Sequence, residues 1–265
     1  MKINFFTTLE EILYEKNTQI KIDKFKNFYE SFKLNLCEFN HNHQAIIRKN
    51  SQVNILHPTR IRRPKQANSP VALAKILHSV AHIEYSAINL ALDASYRFKN
   101  LPFKFYQDWL EVADEEIKHF LLLENVLNEL GFKYGDFDAH DNLEQALFLT
   151  KDNLAHRMGI VHRGLEAKGL DANPFVLKKL NSTNHPIKTL FNEIFKIILD
   201  DEIKHVSKGD IWWNYAKEKN EKYINLCKNF KEFNLLGKKY NKKARIKAGF
   251  QQKELDEMEN FYNGG

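Results

Sequence analysis

Along most of this 265-residue chain, apolar residues recur at three- and four-residue spacing instead of alternating. With only 10 Gly and 6 Pro, that pattern predicts a mostly helical protein with few strands. Residues 71–98, "VALAKILHSVAHIEYSAINLALDASYRF", follow Ser69-Pro70, a capping residue and a proline suited to a first turn. A second helix is expected from Phe103, after Pro102, to Leu130, where Gly131 supplies the stop. "GFKYGDFDAHDNL" holds two glycines and three aspartates without a helical period and reads as a connection. A third helix is expected from Asn142 to Lys168, ended by "GLDANP". After a weakly patterned stretch through "NSTNHP", a fourth is expected from Pro186 to Lys217.

Four such helices can bury their apolar stripes against one another, so the expected fold is an all-α four-helix bundle over residues 71–217. Residues 1–70 read as one or two short helices and an extended "HPTRIRRPKQANSP" arm, and residues 218–265 as a basic helical extension. Both are expected to wrap a single domain. The chain is long enough to bury a core without staples, and Cys37 and Cys227 are too few for a disulfide framework. A reducing, cytoplasmic setting follows. The N-terminus lacks the pattern of a signal peptide, and no stretch approaches eighteen uncharged apolar residues, so no membrane partner is expected. Cys37 with His41 and His43 reads as a loop, not as a zinc site.

One heptapeptide is spelled nearly twice: "DEEIKHF" at 114–120 and "DDEIKHV" at 200–206. On a helix, residues three apart share a face, so Glu116 can converge with His119, and Glu202 with His205. A lone Glu-x-x-His is common on solvated helices. Two of them, joined by one Glu from each of two further helices, form the donor set of a di-iron or di-manganese carboxylate site. The first helix offers Glu84, its only acid before Asp93, on a face with Ala81, Ala87 and Ile88; the third offers Glu166. Glu84 precedes Glu116 by 32 positions and Glu166 precedes Glu202 by 36, so a helix with one Glu is twice followed by a helix with the pair. The repeat therefore reads as two half-sites.

Carboxylate oxygens with one imidazole per metal suit iron or manganese better than a closed zinc site. Two Fe ions are the first expectation, with Mn/Fe and Mn pairs also compatible. Glu115 and Asp201, each just before a ligand Glu, are candidates to accept the imidazole N–H of the His on the opposite helix. His162, four before Glu166, is open between a further ligand or proton relay and a hydrogen-bonded core histidine. His78 and His82, one turn apart, read as structural.

The stretches "HSVAHIEYSAINLALDA", "ADEEIKHFLLL", "LGFKYGDFDAH", "RMGIVHRGLEAKGLDANP", "DDEIKHVSKGDIWW" and "NKKARIKAGF" occur in the order found in the ferritin-like family DUF455, which this sequence resembles from about His57 onward. The resemblance implies a ferritin-like four-helix fold with ligand positions at Glu84, Glu116, His119, Glu166, Glu202 and His205. Where the family pattern has a proline before the Arg preceding the third-helix Glu, this chain has His162. A more distant similarity to bacterial di-iron tRNA hydroxylases points to a tRNA nucleoside as one substrate class.

The function these residues suggest is a non-haem di-iron oxygenase or oxidase that uses O₂ and an electron donor to hydroxylate or oxidise an organic substrate, with no catalytic group beyond the metal ligands. No GxGxxG motif, P-loop or Ser-His-Asp pattern competes with it. The net charge of +6 is concentrated late in the chain: residues 217–247 hold eleven Lys or Arg against three Glu. Such a stretch suits a solvated surface or a phosphate-bearing partner. The alternatives are metal handling (ferroxidase, iron storage or peroxide scavenging) and a bundle that only binds partners. The long terminal extensions favour a monomer or small homo-oligomer over a storage shell.

Overall fold

A computed structural model describes residues 2–40, 53–62 and 64–264. The fold is an all-α helical bundle in which the only strands among the described residues are two two-residue segments. The chain divides into two compact units, Met1–Arg62 with His78–His140, and Arg63–Leu77 with Asp141–Gly265. The division falls inside the long helix α3 (Pro70–Arg97). Among the described residues, no helix is long and apolar enough to cross a membrane.

In the first unit, β1 (Ile3–Asn4) runs parallel to β2 (Cys37–Glu38), with Ile3 opposite Cys37. The loop expected at Cys37 is thus corrected to a short strand; His41 and His43 lie outside the described residues. Between the strands lie α1 (Phe5–Tyr14) and α2 (Thr18–Lys33), each opened by an asparagine that accepts a backbone N–H: Asn4 from Thr7 at 2.9 Å and Asn17 from Ile20 at 3.0 Å. Phe5 of α1 packs with Phe28 and Phe32 of α2, with Phe39 and with Tyr106 of α4 (Phe103–Glu129). Each buried ring contributes roughly 2–3 kcal/mol of transfer free energy, alongside buried aliphatic side chains such as Leu9, Ile12 and Leu13.

Helix α3 starts as expected, with Ser69 Oγ accepting the Ala72 N–H at 3.2 Å and Pro70 in the first turn. Helix α4 stops at Gly131, whose φ of +79° lets the Phe132 N–H reach back to Leu127 O at 3.0 Å. The two helices run antiparallel: Tyr106 Oη donates to Phe98 O near their connection, and Tyr85 packs on Phe120 farther along. The expected connection after Gly131 is strapped to α3 by the two histidines read as structural. His82 meets Tyr134 Oη through Nδ1 at 2.8 Å and His140 O through Nε2 at 3.1 Å. The Gly135 N–H donates to His78 Nε2 at 3.0 Å.

The second unit bears out the third helix's start at Asn142 but breaks the helix after Leu149 and carries it past Lys168. Its first part, α5 (Asn142–Leu149), stops where the Thr150 hydroxyl turns back onto Ala146 O at 2.7 Å. A new start follows at Asn153, which accepts the His156 N–H at 2.9 Å. Helix α6 (Leu154–His156) then passes without a break into a π-helix (Arg157–Leu165) and α7 (Glu166–Leu180). "GLDANP" does not end it, because Pro174 lies inside α7. Proline has no N–H for the carbonyl four residues back. That carbonyl, Leu170 O, accepts from Asn241 Nδ2 at 3.4 Å instead. Asp171 and Asn173, which read as turn residues, are also used at a distance: Asp171 Oδ1 accepts the Asn241 N–H at 2.8 Å and pairs with Arg245, and Asn173 Nδ2 donates to Phe195 O.

The fourth long helix, α8 (Lys188–Ala216), lies close to its expected bounds and runs antiparallel to the π-helix and α7. A β-carbon on Gly209 of α8 would meet His162, and one on Gly169 of α7 would meet Glu202 of α8. The C-terminal extension is helical as expected, in α9 (Tyr223–Asn229), α10 (Lys242–Lys247) and α11 (Gln252–Asn263).

Candidate metal centre

In the first unit, α3 and α4 bring three of the expected ligands together. His119 Nδ1 lies 3.3 Å from Glu84 Oε2 and 3.5 Å from Glu116 Oε2, and all three residues are buried. Glu116 and His119 meet because they are one helical turn apart; Glu84 reaches them because α3 and α4 pack face to face. Two carboxylates and one imidazole in an apolar pocket cannot all keep their ordinary protonation. Burial, and then the charge of Glu116, push the Glu84 carboxyl up to about 7. Burial alone would lower His119, but hydrogen bonds that it donates to the Glu116 and Glu84 carboxylates, together with their charges, outweigh this and raise the imidazole to about 11.

In the second unit, Glu202 and His205 sit one turn apart on α8, with His205 Nδ1 3.6 Å from Glu202 Oε1. Glu166, the first residue of α7, is met on its own helix by His162 Nδ1 at 2.9 Å from Oε1. His162 is fully buried, and burial, followed by the charges of Arg157 and His205, holds its imidazole well below its usual range. The π-turn puts this pair on one face: the Glu166 N–H bonds to Val161 O, five residues back, so the helix is locally wider than an α-helix. Asp201 is buried with Lys204 Nζ at 2.8 Å, and Glu115 is half-buried.

One ligand atom from each of Glu84, Glu116 and His119 lies within 4.8 Å of the others, and all three residues are buried. This cluster could hold a metal ion. The donor set fits one: buried carboxylates gathered around an imidazole call for positive charge, which a proton supplies in part and a divalent cation supplies with bonds to the same oxygens. Soft thiolates are absent from the group.

A family model described as "Protein of unknown function (DUF455)" matches residues 14–256. The chain belongs to the DUF455 family. An uncharacterized protein of Haemophilus influenzae (strain ATCC 51907 / DSM 11121 / KW20 / Rd) is 41% identical to this DUF455 chain over 199 residues, covering 69% of this chain and 66% of that protein, just under two thirds of its length. No solved structure matches.

Sequence reasoning gave no role to Arg163, Gly209 or Asp210, which surround the π-turn beside Glu166. A β-carbon on Gly209 would fall 2.4 Å from His162 O, so α8 and the π-helix touch backbone to backbone there. Gly159 and Gly164, also in close contact, are five apart. That spacing is the one trace of the π-turn in the sequence.

Proposed function

We propose that this DUF455 protein is a non-haem di-iron carboxylate oxidoreductase with a ferritin-like bundle, using O₂ to hydroxylate or oxidise an organic substrate. The observation that supports this reading most is the buried group of Glu84, Glu116 and His119 ligand atoms within 4.8 Å of one another, with a second Glu-x-x-His pair, Glu202 and His205, on α8. In this reading Glu84, Glu116 and His119 hold one ion and Glu166, Glu202 and His205 the other, with mixed Mn/Fe or Mn pairs compatible with the same donors.

Bound iron would supply the redox chemistry with O₂ that amino-acid side chains lack. The protein's own residues do the rest. The four Glu offset the charge of two divalent ions, and the buried side chains Ile88 and Leu123 keep bulk water from the α3 and α4 faces. A hydrogen bond between His162 Nδ1 and Glu166 Oε1 at 2.9 Å fixes the direction of the Glu166 carboxylate. A tRNA nucleoside is one substrate class compatible with the exposed Lys219, Lys222, Lys228, Lys238, Lys239 and Lys242 of the C-terminal segment.

Elemental analysis of protein purified without chelators and reconstituted anaerobically with Fe(II) tests the reading. About two equivalents are expected, with near-ultraviolet absorption developing on exposure to O₂. Uptake well under one equivalent of Fe or Mn overturns it. Rapid Fe(II) oxidation in a large multi-subunit particle would instead favour metal handling.

A further inference from the structure

We infer that Arg163 is a positioning residue for the Glu166 side of the metal centre, held in place by helix α11 through Glu254. The inference rests on the metal reading above. Arg163 lies in the π-helix, three residues before Glu166 and next to His162. It is 1% exposed, yet its guanidinium engages groups from α8, α9 and α11 at once. Its Nε is 2.7 Å from Asp210 Oδ1 on α8, and its Nη2 donates to Glu254 Oε2 on α11 at 2.8 Å. The Cζ atom stands 4.0 Å from the ring centre of Tyr223, 4.2 Å from that of Phe250 and 4.9 Å from that of Trp213.

The placement of these contacts carries the inference. Gly209, where α8 touches the π-helix backbone, is four residues after His205, and Asp210 is next to it. The clamp therefore lies one turn from a ligand on each of the two helices. A shift at the clamp passes along a rigid turn to Glu166 and His205. For stability alone, an apolar side chain between three rings would do as well, since well-packed apolar replacements of buried ion pairs are often neutral or better. What the guanidinium adds is direction: a planar fork that fixes two carboxylates from two helices at set angles.

Glu254→Gln isolates this contribution. Glutamine keeps the side-chain shape and can still accept the Gln251 N–H in the capping box, but removes the negative charge that faces Arg163. The metal-free full-length protein is titrated anaerobically with Co(II), following its visible ligand-field absorption, with the melting temperature measured in parallel. The wild type should take up about two equivalents. In Glu254→Gln one equivalent should weaken by about tenfold, the typical scale for a residue that orients a ligand, with a changed band shape, while the other stays as in the wild type. Asp210→Asn should do the same from the α8 side. Variants that titrate with wild-type affinity and band shape, whatever their melting temperature, overturn the inference and leave the metal reading standing; so does equal weakening of both equivalents. A wild type that takes up no Co(II) overturns the metal reading, and this inference with it.

Discussion

In the first helix pair, Glu84 reaches across to His119 at 3.3 Å; in the second, Glu166 is met by His162 on its own helix at 2.9 Å, and Glu202 and His205 stand 3.6 Å apart. The same tetrapeptide, Glu-Ile-Lys-His, opens onto these two environments. Their surroundings differ as well. The first unit is cemented by rings such as Phe5, Phe28, Phe32 and Tyr106, whereas the second buries three arginines, Arg157, Arg163 and Arg245, against carboxylates, carbonyls and hydroxyls. A repeated motif fixes the spacing of donors along a helix. How each donor is aimed depends on what packs behind it, and directional ion pairs aim more tightly than rings do.

The largest effect should come from breaking the first half-site. Glu116→Ala is expected to lower Co(II) or Fe(II) affinity by more than about 100-fold, beyond the range for residues that merely orient a ligand. Glu166→Ala should cost about tenfold, because His162 already engages one of its oxygens; equal losses would show that the asymmetry has no consequence for the metal. Next, Gly209→Ala should destabilise the protein by about 3 kcal/mol in urea titration, since its new methyl would press on backbone that cannot swing away. In the first unit the pH response is the sharper probe. Burial pushes His78 from 6.5 down to about 4, so the unfolded chain takes up its proton before the folded one does. The stability this ring contributes is complete above pH 6.5 and is lost as pH falls towards and through 4, on the order of 2 kcal/mol. Thermal melts of the metal-free protein should show that slope, which His82, pushed down to about 4 by burial, shares, and His78→Gln should reduce it by about half. Tyr223→Phe removes a buried hydroxyl that donates to Gly159 O at 2.9 Å and should cost about 1 kcal/mol by chemical denaturation. Smallest of all, Gly169→Ala should shift stability by less than about 0.5 kcal/mol, because the added methyl makes only an ordinary 3.8 Å contact with Glu202 and gains helix propensity.

Much of the fold was legible because its signals are local. Ser69-Pro70 and Gly131 set the ends of α3 and α4 through caps that need only neighbouring residues. The candidate donors Glu84, Glu116 and His119 could be named from one-turn spacing and a lone acid in an apolar stripe, and their side chains gather in one buried group. The third helix was misread because its boundaries are set from far away. "DANP" carries stop residues, and only Asn241, Arg245 and α8 make them compatible with a helix. The π-turn leaves only the Gly159–Gly164 spacing in the sequence, since its extra residue per turn is accommodated by close glycine contacts with Trp213, Leu226, Tyr223 and Leu235.

The proline within α7 has a consequence for how the molecule is made. The groups that complete this helix, Asn241 and Arg245, leave the ribosome some 70 residues after Asp171. While the nascent chain is still growing, Leu170 O has no such donor, and the segment around Glu166 lacks part of its frame. That segment is completed only once Asn241 and Arg245 have been made, and a chain truncated before residue 241 would lack both partners of Leu170 and Asp171.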